Sequence, residues 1–484
     1  MDPLVARDNE QKLLQSFLQQ DRAQLIALTG RRRIGKTFLV RKSISQGSIF
    51  LEIVGSKKSS PIDLKDNFLS SIEETLGSIA QLSRNLKWRV IFKTISTATK
   101  KTPKEFIIFL DELPWMVAAD PEFLPALEHI WNSEWSQLKN LKLIICGSAT
   151  SWMKEEIFNN TGGFFSRLTG RIELNPFSIQ QCKELAVARK LKLNLQQLLE
   201  YYLVLGGVPY YWSLIEPMEP AAEFVQRLFF VRGALLKKEF SAMMEAIFRD
   251  SDAYLKILKA LGRSRYGMSR DELAKLSKVS SGGTLERALK ELCDCLFVNS
   301  YVPFGYQERG MYFRLYDEFL LFHLTWLERL ESSGIRSFKD YWLKQQGSGQ
   351  YNNWIGNSFE IFCQKHADDI LNVLGISGIR SEVSTWRTVD KKATDKIQID
   401  LVIDRADGVV TLVECKYSNK PIILPKRELE NCLKRQSLFV EQTKTKKFIN
   451  SILVCSNTFS KNLAAKDVFY RIINIEDLFK FNAS

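Results

Sequence analysis

Gly30-Arg31-Arg32-Arg33-Ile34-Gly35-Lys36-Thr37 follows a short apolar run, Leu25–Leu28, and leads into FLVRKSI, which has a helical pattern. Two glycines five residues apart, then a lysine and a hydroxyl residue, make a loop whose backbone N–H groups can wrap phosphate oxygens. The positive end of the following helix dipole favours the same charge. Lys36 is placed to reach β- and γ-phosphates, and Thr37 to put its hydroxyl on Mg²⁺. The spacing therefore predicts ATP with Mg²⁺ as ligand. A second apolar run, FIIFL at Phe106–Leu110, suits a strand buried on both faces and ends in Asp111-Glu112. The first carboxylate can hold Mg²⁺ and the second can polarise an attacking water, which favours hydrolysis over binding alone. A third run, Leu141–Cys146, ends in Gly147-Ser148-Ala149-Thr150. Ser148 and Thr150 are candidates to sense the γ-phosphate, although a helix start after a strand has the same composition. Arg167 and Arg171, in FFSRLTGRIELNPF, are candidates for a finger that completes a neighbouring subunit's site, which would make the protein a homo-oligomer.

A second group with chemical potential lies near the C-terminus. Gln398–Ile403 and Val409–Lys416 read as two strands joined by a turn at Ala406-Asp407-Gly408. Asp400 lies on the first, and Glu414 and Lys416 on the second. Alternation puts Glu414 and Lys416 on one face and Cys415 on the other. Two carboxylates beside a lysine can hold Mg²⁺ and orient a water for phosphodiester attack, with the lysine stabilising developing negative charge. The same residues also suit a surface aspartate beside an ordinary i, i+2 ion pair.

The elements around these groups set the fold class. At 484 residues the chain needs several domains. Residues 1 to about 175 alternate short apolar runs (Leu25–Leu28, Ile49–Val54, Phe106–Leu110, Leu141–Cys146, Ile172–Leu174) with helical stretches, which predicts a parallel sheet covered by helices. Residues 178–249 are helical, with a break at Gly206-Gly207-Val208-Pro209. Residues 250–332 hold helical patterns at Tyr254–Gly262, at DELAKLSKV and at Thr284–Asp294. Ser269 caps the second of these, with Glu272 at its third position. Strand-like runs follow at Phe297–Pro303 and Met311–Leu315. A glycine- and serine-containing stretch, Gln346–Gln350, separates a last α/β region at 351–484, with a helix at Ile355–His366 and a further strand at Ser451–Val454.

Composition narrows the function classes. Eight scattered cysteines without a CxxC pair suit reduced thiols, and three histidines without HExxH exclude the common zinc-enzyme pattern. Apolar stretches such as Glu318–Leu327 are too short to cross a bilayer, and the first residues lack an apolar signal core. The expectation is a cytoplasmic protein with no membrane partner. A net charge of +13 fits a solvated surface or a polyanion partner, most simply DNA.

Three resemblances sharpen the reading. The first 240 residues resemble the archaeal-type P-loop ATPases of the AAA+/STAND group. The match rests on Val5-Ala6-Arg7-Asp8 with Glu10, on GRRRIGKT, FIIFLDELPW and SRLTGRIELNPFS, and on LGGVPYYW. It implies an α/β ATPase core at 1–177 with a helical lid at 178–249. Residues 250–332 resemble a winged helix-turn-helix. In a DNA-reading version the third helix would present Arg287 and Lys290, with Ser280, Ser281 and Thr284 near its start; a packing module within the ATPase has the same pattern. Residues 351–484 resemble the PD-(D/E)xK, restriction-endonuclease-like fold. Asp400 stands at its Asp position, Glu414-Cys415-Lys416 at its ExK, and Glu360 at its acidic helix residue. Ile399 replaces the proline, which leaves the chemistry unaffected. The resemblance implies a Mg²⁺-dependent DNA endonuclease with Glu360, Asp400 and Glu414 at the metal, or the same fold without activity. The fold class expected is thus α/β: a P-loop ATPase core with helical lid, a winged helix-turn-helix and a nuclease-like C-terminal domain.

Overall fold

Leu25, Ile26, Ala27 and Leu28 are all buried, with Leu25 and Ala27 packed in one apolar cluster and Ile26 and Leu28 in another. Side chains alternate along a strand, so this one is covered on both faces. It is strand β1 (Gln24–Thr29) of a parallel sheet that also contains β2 (Ile49–Val54), β3 (Phe106–Asp111), β4 (Leu141–Gly147) and β5 (Gly170–Glu173). The strand order is β2-β3-β4-β1-β5. In a parallel sheet all C-terminal strand ends share one edge, so the loop after β1, Asp111-Glu112 and Gly147-Ser148 emerge together. One cover is aromatic, with Phe68, Trp88, Phe92, Phe123 and Trp135 packed mainly edge to face. Helix α1 (Lys36–Ser43) follows the glycine loop and packs Leu39 and Val40 into the opposite cluster.

The computed structural model describes residues 3–77, 86–159, 164–248, 251–305, 310–333, 340–388, 397–460 and 463–480. The chain forms two compact units. One comprises Met1–Pro176 with Val208–Tyr210 and Ala242–Ser251; the other comprises Phe177–Gly207, Tyr211–Ser241 and Asp252–Ser484. The span 178–249 contributes residues to both, and the expected limit at 249 and 250 lies outside the described residues.

In the second unit, α2 (Ile179–Ala188) and α3 (Leu195–Leu205) each open on a reciprocal capping box, Ser178 with Gln181 and Asn194 with Gln197. Then come α4 (Asp252–Leu261), β6 (Met268–Ser269), α5 (Arg270–Ser277), α6 (Gly283–Asp294), β7 (Val298–Tyr301) and β8 (Tyr312–Leu315). Ser269 and Glu272 form the expected capping box of α5. The strands pair antiparallel in the order β6-β8-β7. The two-residue β6 is too short to leave a periodic signal.

Helix α7 (Gly349–Lys365) starts six residues before the expected Ile355, because the Ser348 hydroxyl accepts from the Tyr351 N–H. The stretch Gln346–Gln350 therefore runs into a helix and does not act as a separator. Beyond it lie β9 (Ser381–Arg387), β10 (Gln398–Arg405), β11 (Val409–Lys416), α8 (Lys426–Thr443), β12 (Phe448–Cys455) and β13 (Arg471–Asn474), in sheet order β13-β12-β11-β10-β9. β10 and β11 form the expected antiparallel hairpin, and β12 joins β11 in parallel. No described helix is long and apolar enough to cross a membrane.

Candidate functional sites

The loop after β1 is shaped by its glycines. Gly30 has φ +147°, and a Cβ there would stand 2.6 Å from the Leu174 carbonyl; Gly35 has φ +95°. Both positions exclude larger residues at low cost. Between them Ile34 is buried as an apolar anchor. Arg31 is also buried, with a guanidinium nitrogen 4.0 Å from the Met243 Sδ. Arg32 is half-buried, and Arg33 lays its guanidinium over the Tyr210 ring at 4.0 Å.

Lys36 is buried and donates to the carbonyls of Gly30 at 2.7 Å and Arg31 at 3.0 Å, and to the Ser148 hydroxyl at 2.8 Å. Its ammonium thus sits inside the loop it would share with phosphates. The Thr37 hydroxyl donates to Asp111 Oδ2 at 2.5 Å. Two hard oxygen donors side by side fit Mg²⁺, which takes oxygen ligands at about 2.0–2.1 Å. Bound there, Mg²⁺ would supply charge neutralisation for nucleotide phosphates. Asp111 Oδ1 also accepts from the Glu112 N–H at 3.0 Å.

Glu112 takes a left-handed backbone, φ 57°, uncommon for a residue with a side chain. The turn brings its carboxylate to Ser148, whose N–H donates at 3.1 Å and whose hydroxyl donates as well. Ser148 therefore joins Lys36 to Glu112. Thr150, the other candidate on this stretch, is buried and directs its N–H to the Ser148 carbonyl at 3.1 Å. Arg171 is exposed, with its guanidinium over the Phe158 ring at 4.5 Å. Arg167 is exposed and bonded to Asn132. Arg7, in the opening segment, pairs with Glu10 at 2.8 Å and donates to the Asn175 carbonyl at 2.7 Å.

A family model described as an ATPase domain predominantly from Archaea matches residues 4–215. The chain carries a P-loop ATPase domain. Over 362 residues the protein is 25% identical to an uncharacterized protein of Methanocaldococcus jannaschii, MJECL04, covering 74% of this chain and 75% of the relative. Among solved structures, the Walker-type ATPase paby2304 of Pyrococcus abyssi is similar at a TM-score of 0.48 and 19% identity, covering 66% of this chain and 96% of that one. The Aeropyrum pernix ORC2 protein is similar at 0.44 and 14%, covering 69% and 97%.

Outside the ATPase domain, the C-terminal hairpin lines an open, strongly polar pocket of about 680 Å³. The Leu401–Val413 pairing puts Asp400 and Glu414 one residue further along their antiparallel strands. The β9–β10 register shifts between Ile399 and Val402, so Asp400 lies in the irregular stretch, where a bulge can re-aim a side chain. Asp400 is buried, and its Oδ2 accepts from the Cys415 N–H at 3.2 Å. Burial, reinforced by the Glu414 charge, pushes its carboxyl up to about 7; Arg265 and Arg435 pull the other way. Glu414 pairs with Lys416 at 3.2 Å and Arg435 at 3.1 Å, and Lys416 pairs again with Glu428 at 2.8 Å. Burial alone would lower the Lys416 ammonium, but these two carboxylates raise it.

Glu360 lines the same pocket from α7 and is paired with Arg265, whose Nε donates at 3.2 Å. Among the described residues no three His, Cys, Asp or Glu side chains converge into a group able to hold a metal. Asp400 and Glu414 remain as two oxygen donors that share the hairpin register and the pocket lining, a number that suits a Mg²⁺ held partly by water. On α6, Arg287 and Lys290 are both exposed, with Arg287 Nε 3.9 Å from Glu291. Sequence reasoning missed Arg265, Arg427 and Arg435. They belong to no motif, and in a chain with 68 basic residues only spatial placement singles them out.

Proposed function

We propose that the protein couples ATP binding and hydrolysis to DNA binding and to divalent-metal-dependent DNA cleavage. In this reading residues 1–177 are the ATPase core, 178–249 its lid, 250–332 a winged helix and 351–484 a restriction-endonuclease-like domain. The Gly30–Gly35 amides and Lys36 hold the phosphates, Thr37 and Asp111 hold Mg²⁺, Glu112 orients the attacking water and Ser148 senses the γ-phosphate. Arg171, exposed beside Phe158, is the candidate to complete a second copy's site in a homo-oligomer.

The observation that carries the nuclease reading is the placement of Asp400 and Glu414 in one pocket, with Lys416 two residues along the same strand. Three helices and a three-stranded antiparallel sheet ahead of it support a winged helix, and the net charge of +13 supports a polyanion partner. The deciding experiment incubates purified full-length protein with linear and circular DNA, with Mg²⁺ or Mn²⁺, with and without ATP. Metal-dependent nicking is expected. DNA left intact under all conditions overturns the nuclease.

A second reading is a regulatory ATPase whose C-terminal domain is a scaffold. It is favoured by one observation: Glu360 and Glu414 already have cationic partners, Arg265 for the first and Lys416 with Arg435 for the second. Salt-sensitive DNA binding without nicking would support it.

A further inference from the structure

The pocket at the C-terminal hairpin carries more positive than negative charge. Five cationic side chains and three carboxylates line it. The carboxylates lie on α7 and the hairpin, while much of the positive charge comes from two other places. On α8, Arg427, Asn431 and Lys434 follow the i, i+4, i+7 spacing of one helical face, and all three are exposed. Arg427 makes no ion pair with any described residue. The turn between α4 and β6 brings Arg265 and Tyr266 into the same lining.

That turn is held firmly. The Ser264 hydroxyl donates to the Gly267 carbonyl at 2.8 Å, and the Tyr301 hydroxyl donates to the Tyr266 carbonyl at 2.6 Å. Gly267 has φ +75°, and a Cβ on it would meet the Phe313 carbonyl at 2.5 Å. Glu360 fixes the Arg265 guanidinium, which also lies 5.4 Å from the Tyr266 ring centre. Tyr266 is 41% exposed. A cationic helix face sharing a pocket with a fixed arginine and an open aromatic ring is the combination that binds unpaired nucleotides: cations track the phosphates and a base stacks on the ring. A duplex keeps its bases stacked inside and offers nothing to Tyr266.

We propose that this pocket is a seat for single-stranded nucleic acid. Arg427 and Lys434 of α8 grip the backbone, and Arg265 with Tyr266 receives a phosphate and a base. Glu360 then acts as the positioning residue of Arg265. The inference rests on the nuclease reading, in that it names the form of substrate the Asp400–Glu414 edge would meet, but it can fail separately.

The test uses full-length protein, a fluorescently labelled ten-nucleotide oligothymidylate and anisotropy in EDTA, so that no cleavage enters the readout. Wild type should bind, more weakly as salt rises. Arg427→Ala with Lys434→Ala, both at exposed positions, should weaken binding about tenfold or more and reduce the logarithmic salt slope by about 1.4, at about 0.7 per lost phosphate contact. Tyr266→Ala should weaken binding by about 5- to 150-fold, the range of one lost base stack, and Tyr266→Phe should restore it. Arg265→Ala strands the Glu360 charge, so Arg265→Lys and the paired Arg265→Ala/Glu360→Gln variant are measured with it; each should bind less tightly than wild type. Affinities of all variants within twofold of wild type overturn the seat, as does a tenfold preference of wild type for duplex of the same length. Binding as described without Mg²⁺-dependent cleavage keeps the seat and removes the nuclease. Cleavage with unaffected binding by every variant does the reverse.

Discussion

Ser148 and Glu112 are tied twice, by the Ser148 N–H at 3.1 Å and by its hydroxyl, while Lys36 donates to that same hydroxyl at 2.8 Å. The residue at the end of β4 thus bridges the loop lysine and the carboxylate at the end of β3. An arriving γ-phosphate would compete for Lys36, and the loss of that bond would change what Ser148 offers Glu112.

Glu112→Gln should leave nucleotide binding intact and slow hydrolysis by about 10²- to 10⁴-fold, the usual contribution of a general base. Ser148→Ala keeps the backbone N–H but removes the hydroxyl bridge, and should lower kcat more than it changes nucleotide affinity. Lys36→Ala should remove binding, because the phosphates lose their main cation. Phosphate release and nucleotide titration check all three. A Gln variant that turns over at the wild-type rate rules out Glu112 as the base.

Duplex DNA binding should weaken steeply with salt, since each phosphate contact releases counterions. Neutralising Arg287 and Lys290 together should reduce the logarithmic slope by about 1.8, at about 0.9 per contact on duplex. An unchanged slope would show that α6 faces no DNA and serves as packing.

Asp400→Ala and Glu414→Ala should each abolish metal-dependent DNA cleavage, because each removes an oxygen donor from a pair. Lys416→Ala should slow cleavage while sparing metal binding, since a lysine supplies charge and not coordination. Mn²⁺ titration by calorimetry separates the two outcomes. If Lys416→Ala lost the metal as completely as Asp400→Ala, its assigned role would fall.

A buried histidine gives a pH signature independent of either site. His323 stacks on Phe240 at 4.4 Å, and its Nδ1 has no described hydrogen-bond partner. Burial, with a smaller effect from Lys259, lowers it to about 4. The unfolded chain therefore takes up a proton between pH 6.5 and 4 that the folded chain refuses, and stability from this group is lost as pH falls through that window. The shift implies about 2 kcal/mol at pH 5 relative to pH 7.5. Carboxyls such as the half-buried Glu200 and the buried Glu318 are raised by desolvation and act in the opposite sense, so the histidine part must be read as a difference. The stability of His323→Phe minus that of wild type, from urea unfolding, should rise by about that amount between pH 7.5 and 5. A difference that stays flat contradicts a neutral, buried His323.

Much of the ATPase domain was legible in the chain because its signals are contiguous. A parallel strand buried on both faces must be apolar throughout, and the loop between strand and helix must be glycine-rich to bare its N–H groups. Both constraints act within about a dozen residues, so Leu25–Leu28, Gly30–Thr37 and Phe106–Glu112 could be read directly. The α5 capping box of Ser269 and Glu272 is local in the same sense. The start of α7 was misread because a Gly-Ser stretch looks like a linker until Ser348 is seen capping Tyr351. Tertiary structure alone decided which distant groups meet. Ser148 reaches Glu112 because β3 and β4 are neighbours in the sheet. Arg265 reaches Glu360 because a turn fixed by Gly267 faces α7 across nearly a hundred residues of chain. Pairings of this kind depend on packing that brings together charges with no common period or motif. The 68 basic residues therefore told how much positive charge the protein carries, and only the fold told which of them guard a carboxylate.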